Sequence, residues 1–474
     1  MKRYPGIRPF RTDEQALFFG RDADIERLFR LLELEQLVIL YGKSGYGKSS
    51  LLSAGIFPLL EKQNKRRFWE IRFGPYKPGE SLPPAEVVRH ALARHAAPGP
   101  LVADALAGPG IWQAVKNCQR PDQAAFLLVF DQFEELFSYP PEQILEFKKQ
   151  LAEALYAKVP RHIEAALARA PLSPDAEDAL YTPFDLKVVF SIRADRMSLL
   201  NGLKDYLPNL LQHGYELDAL DEASAREAVC RPAALSNAEF GMRNAEFSAS
   251  AGKKDSAFHI PHSEFDTPPF SYAPETLAAI FDALRDARGR IETSALQIIC
   301  RYVEENLVVA PGQCIGTADL SDIPSIFGQF YYRTIANLPK AEQTLARRLV
   351  EDQLVKDGLR VPYAAQALLA QPGITQDLLD RLSAASLLRV QRDEAGRMIY
   401  EVGHDTLVGP IGEVAKARRA EEERERLQRD ADEQRREKEK AVIARRRARL
   451  VDGPHRNHRL AVQPLPGRTR QRYF

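Results

Sequence analysis

Short, almost wholly apolar runs recur through the first half of the chain: Leu37-Val38-Ile39-Leu40-Tyr41, Phe68-Trp69-Glu70-Ile71-Arg72-Phe73, Ala125-Phe126-Leu127-Leu128-Val129-Phe130 and Leu186-Lys187-Val188-Val189-Phe190-Ser191. Each is brief and bounded by polar residues, which predicts strands buried on both faces. Helical stretches alternate with them, so residues 37–220 predict an α/β fold with a parallel sheet. Ahead of it, residues 1–36 predict an extended Pro/Gly strap, then a helix with Ile25, Leu28, Leu31 and Leu32 on one side. Residues 221–320 turn helical, beginning at Ser224-Ala225-Arg226-Glu227-Ala228-Val229 and resuming at Leu296-Gln297-Ile298-Ile299-Cys300. Between these, 236–270 is rich in Ser, Ala, Asn and Pro without periodicity and reads as a surface insertion with a disorder-prone composition. Residues 321–412 predict a small helical domain closed by a hairpin. Leu387-Leu388-Arg389-Val390 and Met398-Ile399-Tyr400-Glu401-Val402 flank the turn Asp393-Glu394-Ala395-Gly396. Helices followed by such a hairpin suggest a winged helix.

The pattern changes again at 413–450, which is mostly Glu, Arg, Lys and Ala. Ala420, Leu427, Gln434 and Ala441 fall seven apart, a feeble heptad seam for a coiled coil. A solvated single helix held by i,i+4 ion pairs is the favoured reading. The last stretch, 451–474, shifts to Pro, Arg and His and reads as a disordered basic tail.

Composition narrows the class. At 474 residues and 45% hydrophobic, the chain can bury several cores and should form about three domains. Lys and Arg total 66 against 65 Asp and Glu, so no global field points to nucleic acid. The four cysteines, Cys118, Cys230, Cys300 and Cys314, lack metal-ligand spacing and fit a reducing compartment. No run reaches membrane-spanning length, and the N-terminus has no signal-peptide core. A soluble cytoplasmic protein is expected.

The candidate chemistry starts at Gly42-Lys43-Ser44-Gly45-Tyr46-Gly47-Lys48-Ser49, a complete G-x-x-x-x-G-K-[ST] pattern between a predicted strand and a predicted helix. Gly42, Gly45 and Gly47 free the backbone to wrap phosphates, and the helix beginning at Lys48, Ser49 and Ser50 aims its positive end at them. Lys48 is the candidate for the β- and γ-phosphates of ATP or ADP, and the Ser49 hydroxyl for the Mg²⁺ shell. Asp131 ends the third apolar run, where a Walker B aspartate would hold the same ion. Glu134 and Glu135 follow as candidates to orient or deprotonate water. Acids also favour helix N-termini for dipole reasons, and only the strand before them and the P-loop upstream separate the two readings. Arg193, in Ser191-Ile192-Arg193-Ala194-Asp195-Arg196, ends the fourth run. Ligand-binding groups emerge there in a parallel sheet, so Arg193 is a candidate γ-phosphate sensor.

These residues together resemble the STAND-class P-loop NTPases, and the bacterial novel STAND NTPase 1 subgroup most. The resemblance rests on Tyr4-Pro5-Gly6-Ile7-Arg8-Pro9-Phe10, Phe18-Phe19-Gly20-Arg21 with Glu26, the Asp131-Gln132-Phe133-Glu134-Glu135 form of Walker B and Arg193-Ala194-Asp195. It continues through Arg231-Pro232-Ala233 and His404-Asp405 and covers about residues 4–412. It implies that Gly20 and Arg21 lie beside the adenine, that Pro232 lines its pocket, and that His404 of the winged helix touches the ADP β-phosphate. It also implies a slow ATPase switch, closed on ADP and self-oligomerising with ATP after a partner is sensed, in bacterial signalling or anti-phage defence.

Family members usually carry a long sensor, repeat array or membrane segment beyond the winged helix. Here a charged helix and a short basic tail follow, so either the chain is truncated relative to its relatives or the effector is a separate protein. The trigger and effector have no signature in the sequence. The rival reading is a DNA-binding regulator using the winged helix and the basic end at Arg445, Arg446, Arg447 and Arg449. Against it, 342–351 mixes acids with bases and presents no extended basic face.

Overall fold

The computed structural model describes residues 1–94, 110–120, 124–167, 174–250, 264–320, 322–356, 358–385, 387–392, 398–403 and 407–451. The chain divides into two units, Met1–Gly412 and Glu413–Phe474. At the centre of the first lies a sheet of β1 (Leu37–Gly42), β2 (Arg67–Ile71), β3 (Ala125–Phe130), β4 (Asp185–Arg193) and β5 (Gly214–Glu216). The strand order is β2-β3-β4-β1-β5 and every pairing is parallel.

Why these runs become strands follows from which way their side chains point. Leu37 and Ile39 enter one core and Val38 and Leu40 the other. Phe126, Leu128 and Phe130 likewise alternate with Leu127 and Val129. Period-2 alternation with apolar residues on both sides requires cover on both faces. Helices Asp22–Leu34 and Phe57–Gln63 cover one face through Leu28, Leu32, Phe57 and Leu60. Helices Pro84–Ala93, Ile111–Cys118 and Pro141–Tyr156 cover the other through Val88, Leu92, Trp112, Val115, Phe147 and Leu151. The α/β expectation holds, with small shifts at strand ends. The second run stops pairing at Ile71, and Phe73 is buried beyond it against Phe130, Phe147 and Tyr139.

Helices Glu222–Ala234, Asn237–Ser250, Pro274–Leu284 and Thr293–Asn306 follow, with β6 (Phe270–Tyr272) parallel to β7 (Gln313–Ile315). The helix Asn237–Ser250 corrects the expectation of an irregular insertion over 236–270. Its Phe240 is buried and packs on Phe265, ring centroids 4.9 Å apart, in a core shared with Phe10, Ala16 and Leu17. One aromatic anchor in a polar segment leaves no period to read, yet it suffices to dock the segment. Residues 251–263 lie outside the described ones.

The extended strap is the partner in that docking. Arg3 and Glu304 form a fully buried ion pair at 3.4 Å, and the Glu304 carboxylate also accepts the N–H groups of Arg3 and Tyr4. The Tyr4 hydroxyl donates to the Val229 carbonyl.

Residues 322–403 contain helices Ile323–Ala336 and Lys340–Arg348, the latter running on as a π-helical turn over Leu349–Leu354. A two-residue hairpin pairs β8 (Val355–Lys356) with β9 (Leu359–Arg360). After β10 (Tyr363–Ala364) come helices Ala365–Leu369 and Gln376–Ala384, then β11 (Leu388–Arg392) and β12 (Met398–Val402). The antiparallel sheet order is β10-β12-β11. The hairpin turn at 393–396 lies outside the described residues. Helix Val408–Val451 carries the chain into the second unit, where residues 421–444 are exposed throughout. Arg418–Glu422 and Arg429–Glu425 are i,i+4 ion pairs of the kind expected there. No helix among the described residues is long and apolar enough to cross a membrane.

Candidate nucleotide site

The carboxyl ends of β1, β2, β3 and β4 converge on one point. After β1 the chain turns through Gly45, φ +83°, and Gly47, φ +94°, before the helix starts at Lys48. L side chains resist those angles, so the loop's course needs glycine at both places. Gly42 closes β1 beside Arg193, its register partner in β4. The helix is α-helical over Lys48–Ser50, π-helical over Leu51–Ile56 and α-helical again over Phe57–Gln63. The Lys48 ammonium donates to the carbonyls of Gly42 at 2.8 Å and Lys43 at 3.1 Å, folding back over the loop it would serve. Burial pulls its pKa down, against the opposing charges of Glu134 and Asp131.

Asp131 is the hub, only 1% exposed. Its Oδ2 accepts the Ser49 hydroxyl at 2.7 Å and the Arg72 guanidinium at 2.7 Å, and its Oδ1 accepts the Ser191 hydroxyl at 2.8 Å. Ser49 and Asp131 thus offer two hard oxygen donors side by side, the ligand type Mg²⁺ takes, and the residues fit that ion. Arg72 and Ser191 have no place in the motif reading. The signal for both was position: each lies at the carboxyl end of a parallel strand.

Beyond Asp131, Gln132 adopts the left-handed conformation (φ 55°, ψ 45°) and the 3₁₀ segment Phe133–Ser138 follows. Phe133 is fully buried against Phe130 and Phe190, at 5.6 and 4.4 Å between centroids, and this anchor fixes where the next two acids point. Glu135 Oε2 accepts the Gly74 N–H at 2.8 Å, in the loop after β2. Glu134 Oε2 is buried with no hydrogen-bond partner among the described residues. Burial raises the Glu134 pKa, against Lys48 and Arg193 nearby. Burial and the Glu134 charge push Glu135 up to about 8. Adjacent acids in a tight turn diverge, and of the two Glu134 is the one whose charge interacts with the P-loop lysine. Arg193 is 8% exposed and chelates Asp195 with contacts of 3.0 and 2.7 Å.

The remaining candidates sit beside the loop. Gly20 has φ +78°, and a Cβ there would meet the Ser224 carbonyl oxygen at 2.2 Å, so helix Glu222–Ala234 rests directly on it. Pro232 is buried two turns further along that helix, and Arg231 stacks on Phe19 at 4.4 Å. Gly20 and Pro232 therefore belong to one packed corner. Arg21 is 6% exposed and spends its guanidinium on Asp24, the Tyr46 carbonyl of the P-loop and the Asp218 carbonyl. The Ser50 hydroxyl accepts the Phe10 N–H at 3.1 Å, turned toward the strap. His404 lies outside the described residues.

Residues 4–253 match the model of the family described as novel STAND NTPase 1. Among solved structures, the chain is similar to the Walker-type ATPase PABY2304 of Pyrococcus abyssi, at 15% identity over 85% of this chain and 98% of that one, TM-score 0.39. It is similar to the Aeropyrum pernix ORC2 protein in ADPNP and ADP complexes, at 15% identity over 84% and 95%, TM-score 0.34. It is similar also to CDC6P from Pyrobaculum aerophilum, at 13% identity over 84% and 94%, TM-score 0.34. No curated protein sequence matches.

Proposed function

Because the chain belongs to the novel STAND NTPase 1 family, matched over more than half its length, we propose that it is an ATP-binding and ATP-hydrolysing switch. The observation that supports this most is the Ser49–Asp131 contact at 2.7 Å, set between Lys48 and an unpartnered Glu134 oxygen. In this reading the P-loop N–H groups and the helix start hold the β- and γ-phosphates. Lys48 exchanges the carbonyls of Gly42 and Lys43 for phosphate oxygens. Ser49 and Asp131 would hold Mg²⁺, an ion that when bound would supply positive charge against the phosphates. Glu134 accepts a proton from, or orients, the attacking water, a task helped by a carboxyl pKa raised toward working pH. Arg193 answers to the γ-phosphate by leaving Asp195.

The buried Glu134 oxygen and the Glu135 tie to Gly74 support Glu134 for the water, whereas the family resemblance slightly favours Glu135. We read residues 321–412, whose described part before the long charged helix holds four α-helices and the sheet order β10-β12-β11, as a winged helix. The switch is taken to rest on ADP and to self-assemble with ATP, and a part in signalling or defence fits the family. Calorimetry of ATP binding to the parent and to Lys48→Ala tests the core of the reading: binding by the parent and loss in the variant are expected. Unchanged affinity in Lys48→Ala would sink it. Light scattering with ADP and with a non-hydrolysable ATP analogue tests the assembly step, which predicts a mass increase with the analogue alone.

A further inference from the structure

Arg72 is a charge the P-loop motifs do not account for. It follows β2 directly, and one nitrogen, Nη2, lies 2.7 Å from Asp131 Oδ2 and 2.9 Å from Glu70 Oε1. The Asp131 oxygen it engages is the one that accepts the Ser49 hydroxyl. Asp131 has therefore two rival cation partners for a single oxygen, this guanidinium and any ion held with Ser49. The two cations repel, and at a carboxylate 1% exposed that repulsion is poorly screened. Glu70 stands beside Arg72 as an alternative acceptor. Arg72 is 41% exposed and borders a cavity of about 550 Å³ shared with Arg8, Phe10, Ser53 and Glu70, so its side chain has room to swing without moving the backbone.

We propose that Arg72 is a built-in counter-ion that competes with Mg²⁺ for Asp131, and that Glu70 receives it when the ion binds. The proposal rests on nucleotide binding at this P-loop. The two side chains then tune metal affinity with opposite signs. Arg72→Gln removes the competitor and tightens Mg²⁺. Glu70→Gln removes the receiver, leaves Arg72 on Asp131 and weakens Mg²⁺. The double variant separates this from a direct pull of the Glu70 charge on the ion, and it follows Arg72→Gln where Glu70 acts through Arg72. Had Arg72 merely braced Asp131, its removal would weaken the ion.

The test is a Mg²⁺ titration of the full chain loaded with fluorescent ADP, read as the Mg²⁺ concentration at half-maximal nucleotide retention. For Arg72→Gln that midpoint should fall about tenfold, the effect of about one pK unit of charge interaction. For Glu70→Gln it should rise several-fold, and Arg72→Lys should stay near the parent. If Arg72→Gln is too unstable to purify, the double variant decides against Glu70→Gln: its midpoint should lie below that of Glu70→Gln, and a higher or equal one overturns the proposal. A midpoint raised or unchanged in Arg72→Gln, or lowered or unchanged in Glu70→Gln, overturns the proposal. Failure of the parent itself to retain the nucleotide would instead overturn the reading of the P-loop.

Discussion

At the scale of single residues, the two acids after Asp131 sit in different surroundings. Glu134 has a buried oxygen without a hydrogen-bond partner among the described residues and feels the Lys48 charge, whereas Glu135 is tied to the Gly74 N–H. Glu134→Gln should bind ATP and lose hydrolysis by about 10²–10⁴-fold, the range for a positioned acid–base group. Glu135→Gln should keep most of it. Single-turnover phosphate release measures both, and the reverse order would reassign the water to Glu135. Glu135 should show itself in stability instead. Its carboxyl titrates near 8 in the fold against 4.5 in the ordinary range, so the folded state binds the proton more tightly. Stability then falls as pH rises from about 4.5 to about 8, since the unfolded chain sheds that proton first. Glu135→Gln should flatten that slope in denaturant titrations at pH 5 and pH 8, and an unaltered slope would refute the assignment. The P-loop turn, the place of Asp131 at a strand end and the pair of acids behind it were legible in sequence because they follow one another along the chain. The different surroundings of the two acids were not legible, since they depend on the left-handed Gln132 and the Phe133 anchor. Arg72 and Ser191 were hidden because they meet Asp131 only across strands, at separations of 59 and 60 residues.

At the scale of elements, the sheet was readable because strands buried on both faces leave unbroken apolar runs. The strap and the helix Asn237–Ser250 were not, because what orders them is long-range. Arg3 pairs with a glutamate 301 residues away, and Phe240 docks on Phe265. That buried pair makes a sharp prediction. Removing one partner leaves the other charge uncompensated in the interior, which costs about 3–5 kcal/mol. Arg3→Met should therefore destabilise the fold strongly, because Glu304 also collects the backbone N–H groups of Arg3 and Tyr4 and cannot leave. Arg3→Met with Glu304→Gln should recover part of the loss. Thermal melts of the two variants decide, and equal melting temperatures for Arg3→Met and the parent would show that the strap is not held by this pair.

At the scale of the whole Met1–Gly412 unit, the region after 322 reaches the nucleotide-binding part from two sides. Lys77, in the loop after β2, pairs with Asp380 of helix Gln376–Ala384 at 2.7 Å. Arg389 of β11, paired with Glu401, has its pKa lowered by burial and then by the charge of Arg193. Lys77 follows β2 and Arg193 ends β4, both on the carboxyl side of the sheet, where the P-loop also lies. Lys77 and Asp380 are each 41% exposed, however, and pairs so exposed contribute about 0–1 kcal/mol. Lys77→Glu should accordingly speed release of fluorescent ADP by no more than about fivefold, and Lys77→Glu with Asp380→Lys should restore the parental rate. A hydrogen bond from His404 to the β-phosphate would be a stronger tie, at about 1.5–3 kcal/mol for a charged acceptor. His404→Val should then speed release roughly ten- to hundred-fold, and raise the assembled fraction seen by light scattering without any trigger. Adding Lys48→Ala should abolish that assembly, because the open form still needs ATP to hold it. Parental ADP release from His404→Val would remove this histidine from the switch, and the closure would then rest on the surface contacts alone, too weak to hold a resting state.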